Sequence, residues 1–578
     1  MKKLLRFLKG YEKETVLAPL FKMLEAAFEL VVPLVVAGIM DVGIKNQDIP
    51  YIWRQCGVMV LLGVVGLSCS LTAQYFAAKA AMGFSTALRQ EMFDHITRLS
   101  YRELDGLGTP TLVTRITSDI NQAQTGVNMV LRLFLRSPFI VAGAVVMSFT
   151  IDLRMGVIFL AAVPLISAVI YGIMRWTVPV YKKAQASLDR ISLITRENHV
   201  GARVVRAFGR QQEEAGDFQE TNDVYTRIQI QAGKISALLN PAATVIMNFA
   251  IIAILWLGGA EVRDGILTQG EVVALVNYMT QILIALIALA NLIVAVTKAM
   301  ASAVRLNEVF DTVPTLTDEG SRDQRRKEGA PRVEFRDVDF VYEGSQEPAL
   351  SHISFTAMSG ETIGIIGGTG CGKSTLVNLI PRFYDASRGQ ILIDGCPAED
   401  YPFSQLRKKV GMVPQRAVLF RGTIRDNMKW GKEDASDEEI RRALEIAQAA
   451  DFVEQKPEKL DTMISQGGTN LSGGQRQRLT IARALTGQPD ILIMDDSASA
   501  LDFATDAALR RAIREKTGGM TVFIVSQRAS SIKQADRILV LDDGELAGVG
   551  THRELLDSCE VYREICLSQL SEQEVNRE

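Results

Sequence analysis

The chain has 578 residues, of which 48% are hydrophobic and 22% charged, with a formal net charge of −3. That length exceeds what one hydrophobic core organises, so two or more domains are expected. The near-neutral balance argues against a nucleic-acid footprint. Six cysteines (Cys56, Cys69, Cys371, Cys396, Cys559, Cys566) with no CxxC or Cys/His clustering argue against a zinc site or a disulfide framework.

The start, MKKLLRFLKGYEKE, is basic but has no apolar core or small-residue cleavage site, so no signal peptide is expected. Lys2, Lys3, Arg6 and Lys9 place this end on the cytoplasmic side. Residues 56–78, 155–174, 235–260 and 272–297 are uncharged, apolar and long enough to cross a bilayer. Two further stretches are interrupted by charge: about 15–41 by Lys22, Glu25 and Glu29, and about 123–151 by Arg132 and Arg136. Six spans are therefore expected. Intramembrane charge points either to function, such as binding a cationic substrate or a proton-sensitive site, or to interhelical salt bridging or placement near the membrane surface, and the latter is the preferred reading.

The outer connections, near 42–54, 151–154 and 261–270, are short. Polar stretches at about 79–122 and 176–234 have helical periodicity and few breakers, so helices are expected to project beyond the membrane as arms that can touch a cytoplasmic domain. The charged, Gly/Pro-punctuated run TLTDEGSRDQRRKEGAPRVEF marks a linker. The expected division is a transmembrane domain at 1–313, a linker at 314–331 and a nucleotide-binding domain at 332–578.

In that last part, ETIGIIGGTGCGKSTLVNLI sets a strand-like run before Gly367, Gly368, Thr369, Gly370, Cys371, Gly372, Lys373, Ser374 and Thr375, with a helical pattern after them. This is the context of a P-loop. Its glycines let backbone N–H groups converge on phosphate oxygens, Lys373 reaches the β/γ-phosphates of ATP, and Ser374 ligates Mg²⁺. About 120 residues on, ILIMDDSASALD ends an apolar strand in Asp495 and Asp496. A strand-end aspartate is commonly only a helix or loop cap, so the stretch is weak alone.

Between the two lies NLSGGQRQRLTIARAL, which resembles the signature of ATP-binding cassette (ABC) proteins. The resemblance covers essentially the whole chain, since six spans followed by one cassette is the layout of an exporter half-transporter. It implies an α-helical six-span transmembrane domain followed by an α/β P-loop nucleotide-binding domain, an ATPase and translocase that works as a dimer, in the cell membrane with the cassette in the cytoplasm. It further implies that Ser472, Gly473, Gly474 and Gln475 cap the γ-phosphate of an ATP held by a second cassette. By the same resemblance Tyr342 in VDFVYEG stacks on adenine, Gln415 in GMVPQRAVLF ligands Mg²⁺ and relays to the membrane arms, Asp495 holds Mg²⁺ through water, and Asp502 belongs to the D-loop. VVRAFGRQQEEAGDF (204–218) resembles the second cytoplasmic arm of these exporters.

Two positions depart from the family pattern. Hydrolytic members carry Glu after the Walker B aspartate, where this chain has Asp496, and a switch His where it has Gln527. One missing methylene retracts the carboxylate by about 1 Å, and misplacement on that scale can cost on the order of 10²-fold in rate. Gln527 carries no titratable charge near neutral pH. The expectation is a site that binds ATP but hydrolyses it slowly, while the intact signature completes a partner's competent site. The closest resemblance is thus to the degenerate-site subunit of a heterodimeric bacterial exporter, often a multidrug exporter. The alternatives are a homodimeric exporter with slow ATPase and a non-transporting ATP-regulated membrane protein. ISQGGTNLSGGQ also lacks the usual Glu-Arg at Gln466-Gly467, which implies altered coupling to the partner's arms. The substrate class implied is an amphipathic or hydrophobic small molecule, multidrug or lipid-like, and no nucleic acid.

Overall fold

The computed structural model describes residues 2–318, 324–497 and 500–569. These described residues form two compact units, one made of those within 1–97 and 109–312 and the other of those within 98–108 and 313–578.

The first unit is helical. Six stretches are long and apolar enough to span a bilayer: Glu12–Ile44, Ile49–Arg98, Thr109–Ile151, Leu153–Val200, Gln211–Arg263 and Gln269–Asp311. The fourth runs unbroken for 48 residues. At 1.5 Å per residue that is about 70 Å, more than twice a hydrocarbon core of about 30 Å, so these helices extend well past it, as the polar arms predict. Val60, Val64, Leu67 and Leu71 follow helical spacing and are all at least 57% exposed. A water-soluble helix does not display such a stripe; lipid is its solvent.

Inside this unit small residues allow close helix approach. A Cβ on Gly126 would sit 2.3 Å from the Ala299 methyl, so the third and sixth spans touch there. The third span is not one rod. It widens into a π-helical segment at Arg115–Asp119 and breaks at Phe134–Leu135, between Ile120–Leu133 and Arg136–Ile151. Buried Asp119 ties it to the sixth span through Arg305 and also accepts from Arg115 at 3.0 Å.

The charges that interrupt the first and third spans are largely paired. Lys22 donates to Glu25 at 2.5 Å and to Ser70 at 3.0 Å, and Arg136 donates to Glu29 at 2.8 Å. Arg132 has no acidic side chain within 4.0 Å among the described residues. The second arm, expected to run with few breakers, is interrupted: Ala202–Ala207 is a short separate helix, and a turn at Phe208–Arg210 precedes the helix Gln211–Ala237.

The second unit is α/β. Its strands are β1 Val333–Phe340, β2 Leu350–Ala357, β3 Thr362–Gly367, β4 Arg388–Ile393, β5 Cys396–Pro397, β6 Val410–Val413, β7 Gly422–Thr423, β8 Met463–Ile464, β9 Ile491–Asp495, β10 Thr521–Val525, β11 Arg537–Asp542 and β12 Glu545–Gly550. A six-stranded sheet in the order β12-β11-β3-β10-β9-β6 is parallel except for β12. A smaller sheet, β2-β1-β4-β5, is antiparallel. β9 and β10 are buried at every position, which explains their continuous apolar runs. β3, β9 and β10 lie side by side, so the residues that follow them gather at one edge of the sheet.

The tip of the first arm belongs to this unit. The helix Tyr101–Leu107 is fixed by Tyr101 on Phe383 (ring centroids 4.6 Å), Arg102 on Glu343 (2.8 Å) and Asp105 accepting from Tyr384 (2.8 Å). Glu103 is buried and accepts from Thr315 Oγ1 at 2.8 Å. Of the expected linker, 319–323 lies outside the described residues. The part that follows is tied to the cassette by a reciprocal pair of hydrogen bonds between Gln324 and Gln405.

Candidate nucleotide site

β3 ends in the glycine loop, and the helix Lys373–Leu379 starts directly after it. Gly370 and Gly372 have φ of +87° and +90°, which side-chain-bearing residues rarely adopt. A Cβ on Gly372 would also come within 2.6 Å of the Ala349 carbonyl. The loop is therefore shaped by backbone alone, leaving its N–H groups for an anion at the head of a helix.

Lys373 is 8% exposed, and its ammonium donates to the carbonyls of Gly367 (2.9 Å) and Gly368 (2.5 Å). Its charge is thus already placed at the loop. Cys371 Sγ lies 3.6 Å from the same ammonium. Thr375 Oγ1 is hydrogen-bonded to the Tyr342 phenol at 3.1 Å. Tyr342 is 37% exposed and is braced edge-on by Phe340 and Tyr384. An exposed ring held on two sides is a suitable platform for a planar base.

A cavity of about 220 Å³ brings Thr369, Gly370, Gly372, Lys373, Ser374, Thr375, Gln415, Asp495, Asp496 and Gln527 together. Ser374 Oγ donates to Asp495 Oδ1 at 3.0 Å, and Gln415 Nε2 approaches Asp496 Oδ2 at 3.4 Å. The Ser374 hydroxyl, the Asp495 and Asp496 carboxylates and the Gln415 amide oxygen are hard oxygen donors beside a phosphate cradle, a set that fits Mg²⁺ bound largely through phosphates. Burial pushes the Asp495 carboxyl above the ordinary aspartate range; the Asp496 charge adds to this, while Ser374 and Lys373 oppose it. Burial raises Asp496 too, against Gln415, Lys373 and Arg528. Asp496 has φ of +43° and its N–H bonds to Val525 O at 3.0 Å. The strand thus ends in a left-handed residue whose N–H stays paired with β10 while its carboxylate reaches Gln415, which follows β6.

The remaining expected residues lie elsewhere on the unit. Ser472 caps the helix Gly473–Thr486 in a reciprocal box with Gln475, so the Gln475 carbonyl is used on the Ser472 N–H. Gly473 and Gly474 form the first turn. Gln466 and Gly467 lie in a tight turn before it, with Gly467 at φ +68°. Asp502 caps the helix Phe503–Lys516 by accepting from Thr505 N and Oγ1. Ala498 and Ser499, inside the same quoted stretch, lie outside the described residues. Sequence reasoning did not single out Tyr384 and Asp105, which join the base platform's support to the arm tip; a lone Tyr and Asp 279 positions apart carry no local pattern.

A P-loop site with a signature helix, in a chain that also holds six bilayer-length helices, defines a membrane ATPase of the cassette class. Residues 15–286 match the ABC transporter transmembrane region and residues 350–499 the ABC transporter domain. The chain is 37% identical to the uncharacterized ABC transporter ATP-binding protein YfiB of Bacillus subtilis, over 98% of each chain. It is 32% identical to the ATP-dependent lipid A-core flippase of Hahella chejuensis, over 89% of this chain and 88% of that one. A solved bacterial Atm1-family ABC exporter with ATP bound matches with TM-score 0.81 and 25% identity, over 97% of this chain and 98% of that chain. This chain belongs to the ABC transporter family, with the exporter fold: an ATPase and translocase of the cell membrane whose cassette is cytoplasmic.

Proposed function

We propose that this chain is the degenerate-site subunit of a heterodimeric ATP-driven exporter. The observation that carries this reading is that Asp496 and Gln527, the two departures from the hydrolytic pattern, line the same cavity as an intact phosphate cradle. ATP is held by the glycine loop, Lys373 and Thr375, with Tyr342 under the base; Mg²⁺ is held by Ser374, Gln415 and, through water, Asp495. The cradle neutralises and orients the triphosphate. Asp496 is too short to place an attacking water, and the Gln527 amide donates to phosphate without changing charge. The site therefore keeps its nucleotide and favours the associated state of the cassettes.

The signature residues Ser472 to Gln475 complete the site of a partner half-transporter that carries Glu and His, and hydrolysis there resets the cycle. The working division is a membrane domain at 1–313, a linker at 314–331 and a cassette at 332–578. The cargo is an amphipathic or hydrophobic molecule, multidrug or lipid-like; the flippase relatives support the lipid-like end. The test is ATP turnover in lipid nanodiscs by the chain alone and with the half-transporter that co-purifies from its native membrane. Negligible turnover alone, restored by a partner carrying Glu and His, is expected. Robust turnover alone that Lys373→Ala abolishes would favour the homodimer.

A further inference from the structure

The last helix among the described residues, Glu560–Gln569, is anchored by its inner face: Tyr562 and Cys566 are fully buried. It packs on the helix Ala529–Ile532, on β11 and on β3, the strand that enters the phosphate loop. Gln569 follows on the same side, seven residues after Tyr562 and three after Cys566. Its amide reaches the switch segment with both ends. Nε2 donates to the Gln527 carbonyl at 2.7 Å, and Oε1 accepts from the Ala529 N–H at 2.9 Å. One side chain therefore grips both ends of the three-residue segment that carries the switch position.

The rest of that segment is tied down too. Arg528 N donates to Ser526 Oγ at 2.9 Å, and the Arg528 guanidinium lies 5.3 Å from the Phe503 ring centroid. The Gln527 side chain is different: it is exposed, lines the phosphate cavity and has no hydrogen-bond partner among the described residues. Its backbone is fixed while its amide stays available. That is the arrangement of a static ligand.

We propose that Gln569 is a positioning residue: it ties the C-terminal helix to the switch segment, holds the Gln527 amide toward the phosphate site and so slows release of the retained nucleotide. This rests on the retained-ATP reading above. An unbraced segment has more conformations in which the amide faces away from the cavity, and a ligand gains only from the competent fraction.

The test is release of a fluorescent N-methylanthraniloyl ATP, with Mg²⁺, from the full chain and its co-purified partner in nanodiscs. The slow phase that Lys373→Ala removes belongs to this chain. Gln569→Ala is expected to speed that phase about tenfold, the ratio that about 1.4 kcal/mol produces. Gln569→Glu keeps the acceptor for Ala529 but sets a carboxylate against the Gln527 carbonyl, and is expected to release at least as fast. In a Gln527→Ala background, Gln569→Ala is expected to change the rate less than about twofold, because the residue acts through Gln527. An unchanged slow phase in Gln569→Ala would overturn the inference, as would full additivity with Gln527→Ala or an effect that only tracks a lowered melting temperature. Absence of any slow phase in the wild type would instead remove the retained-ATP reading itself, and this inference with it.

Discussion

The sharpest perturbation is Asp496→Glu. The Asp496 carboxylate sits 3.4 Å from Gln415 Nε2 at the wall of the phosphate cavity, on a backbone already turned toward β10. An added methylene carries the carboxylate about 1 Å further out, and positional error of that size corresponds to on the order of 10²-fold in rate. Part of that gain is withheld, because Gln527 still offers no titratable group and because glutamate tolerates the φ of +43° less well than aspartate. Single-turnover hydrolysis at this chain's own site is therefore expected to rise about 10- to 100-fold in Asp496→Glu, and further when Gln527→His is added. The assay is release of labelled phosphate from the purified transporter in nanodiscs, with the partner's site silenced by substitution of its Walker lysine. No acceleration in either variant, with ATP still bound, would show that carboxylate reach does not limit this site, and would refute the reasoning.

Three further outcomes follow from the same geometry. Cys371 is 6% exposed and its sulfur lies 3.6 Å from the Lys373 ammonium, so alkylation is expected to be slow, to abolish ATP binding once complete and to be prevented by bound ATP; mass spectrometry of the labelled peptide checks this, and Cys371→Ala removes the sensitivity. Burial of Asp495 and partial burial of Asp496 push both carboxyls above the ordinary aspartate range, so protonation begins at a higher pH than for exposed carboxylates. Protonated oxygen no longer ligates Mg²⁺, and Mg·ATP affinity is expected to fall as pH drops from neutral; Asp496→Asn removes one raising charge and moves that loss to lower pH, which calorimetric titration resolves. Finally, Glu29→Gln removes the carboxylate charge 2.8 Å from the Arg136 guanidinium inside a span and leaves it Glu25 at 3.9 Å as its acidic neighbour. Because Glu29 is 41% exposed, the cost is expected to be about 1–2 kcal/mol, below the range for a fully buried pair, and to be read as a lower melting temperature in nanodiscs.

The linear pattern showed the six spans, the glycine loop and the signature because each is a local chemical statement. Apolar length reports a bilayer, glycines before Lys-Ser report a phosphate cradle, and the LSGGQ stretch carries the family resemblance, to which the structure adds the Ser472–Gln475 capping box. The aspartates at the end of β9 and beyond were harder, and they separated. Asp502 is a helix cap, the common use of such a residue, whereas Asp495 and Asp496 face the cavity. What did not show were groupings made only by tertiary packing. The pairing of Asp119 with Arg305 spans 186 residues, and the break at Phe134–Leu135 falls between Arg132 and Arg136, in a stretch read as a single span interrupted only by charge.

The intramembrane charges show how the two kinds of information combine. Composition alone left Glu25, Glu29, Arg132 and Arg136 open between substrate contact and ion pairing. The structure closes three of these. Glu25 takes Lys22, and Glu29 takes Arg136, so no full negative charge remains there to attract a cation. Arg132, one turn before Arg136, is the residue this pairing does not absorb. Of the four charges that interrupt the apolar cores of the first and third spans, the one left without an opposite charge among the described residues is therefore Arg132, whereas Asp41, at the end of the first span, is held by the Thr268 hydroxyl and the Gly270 N–H.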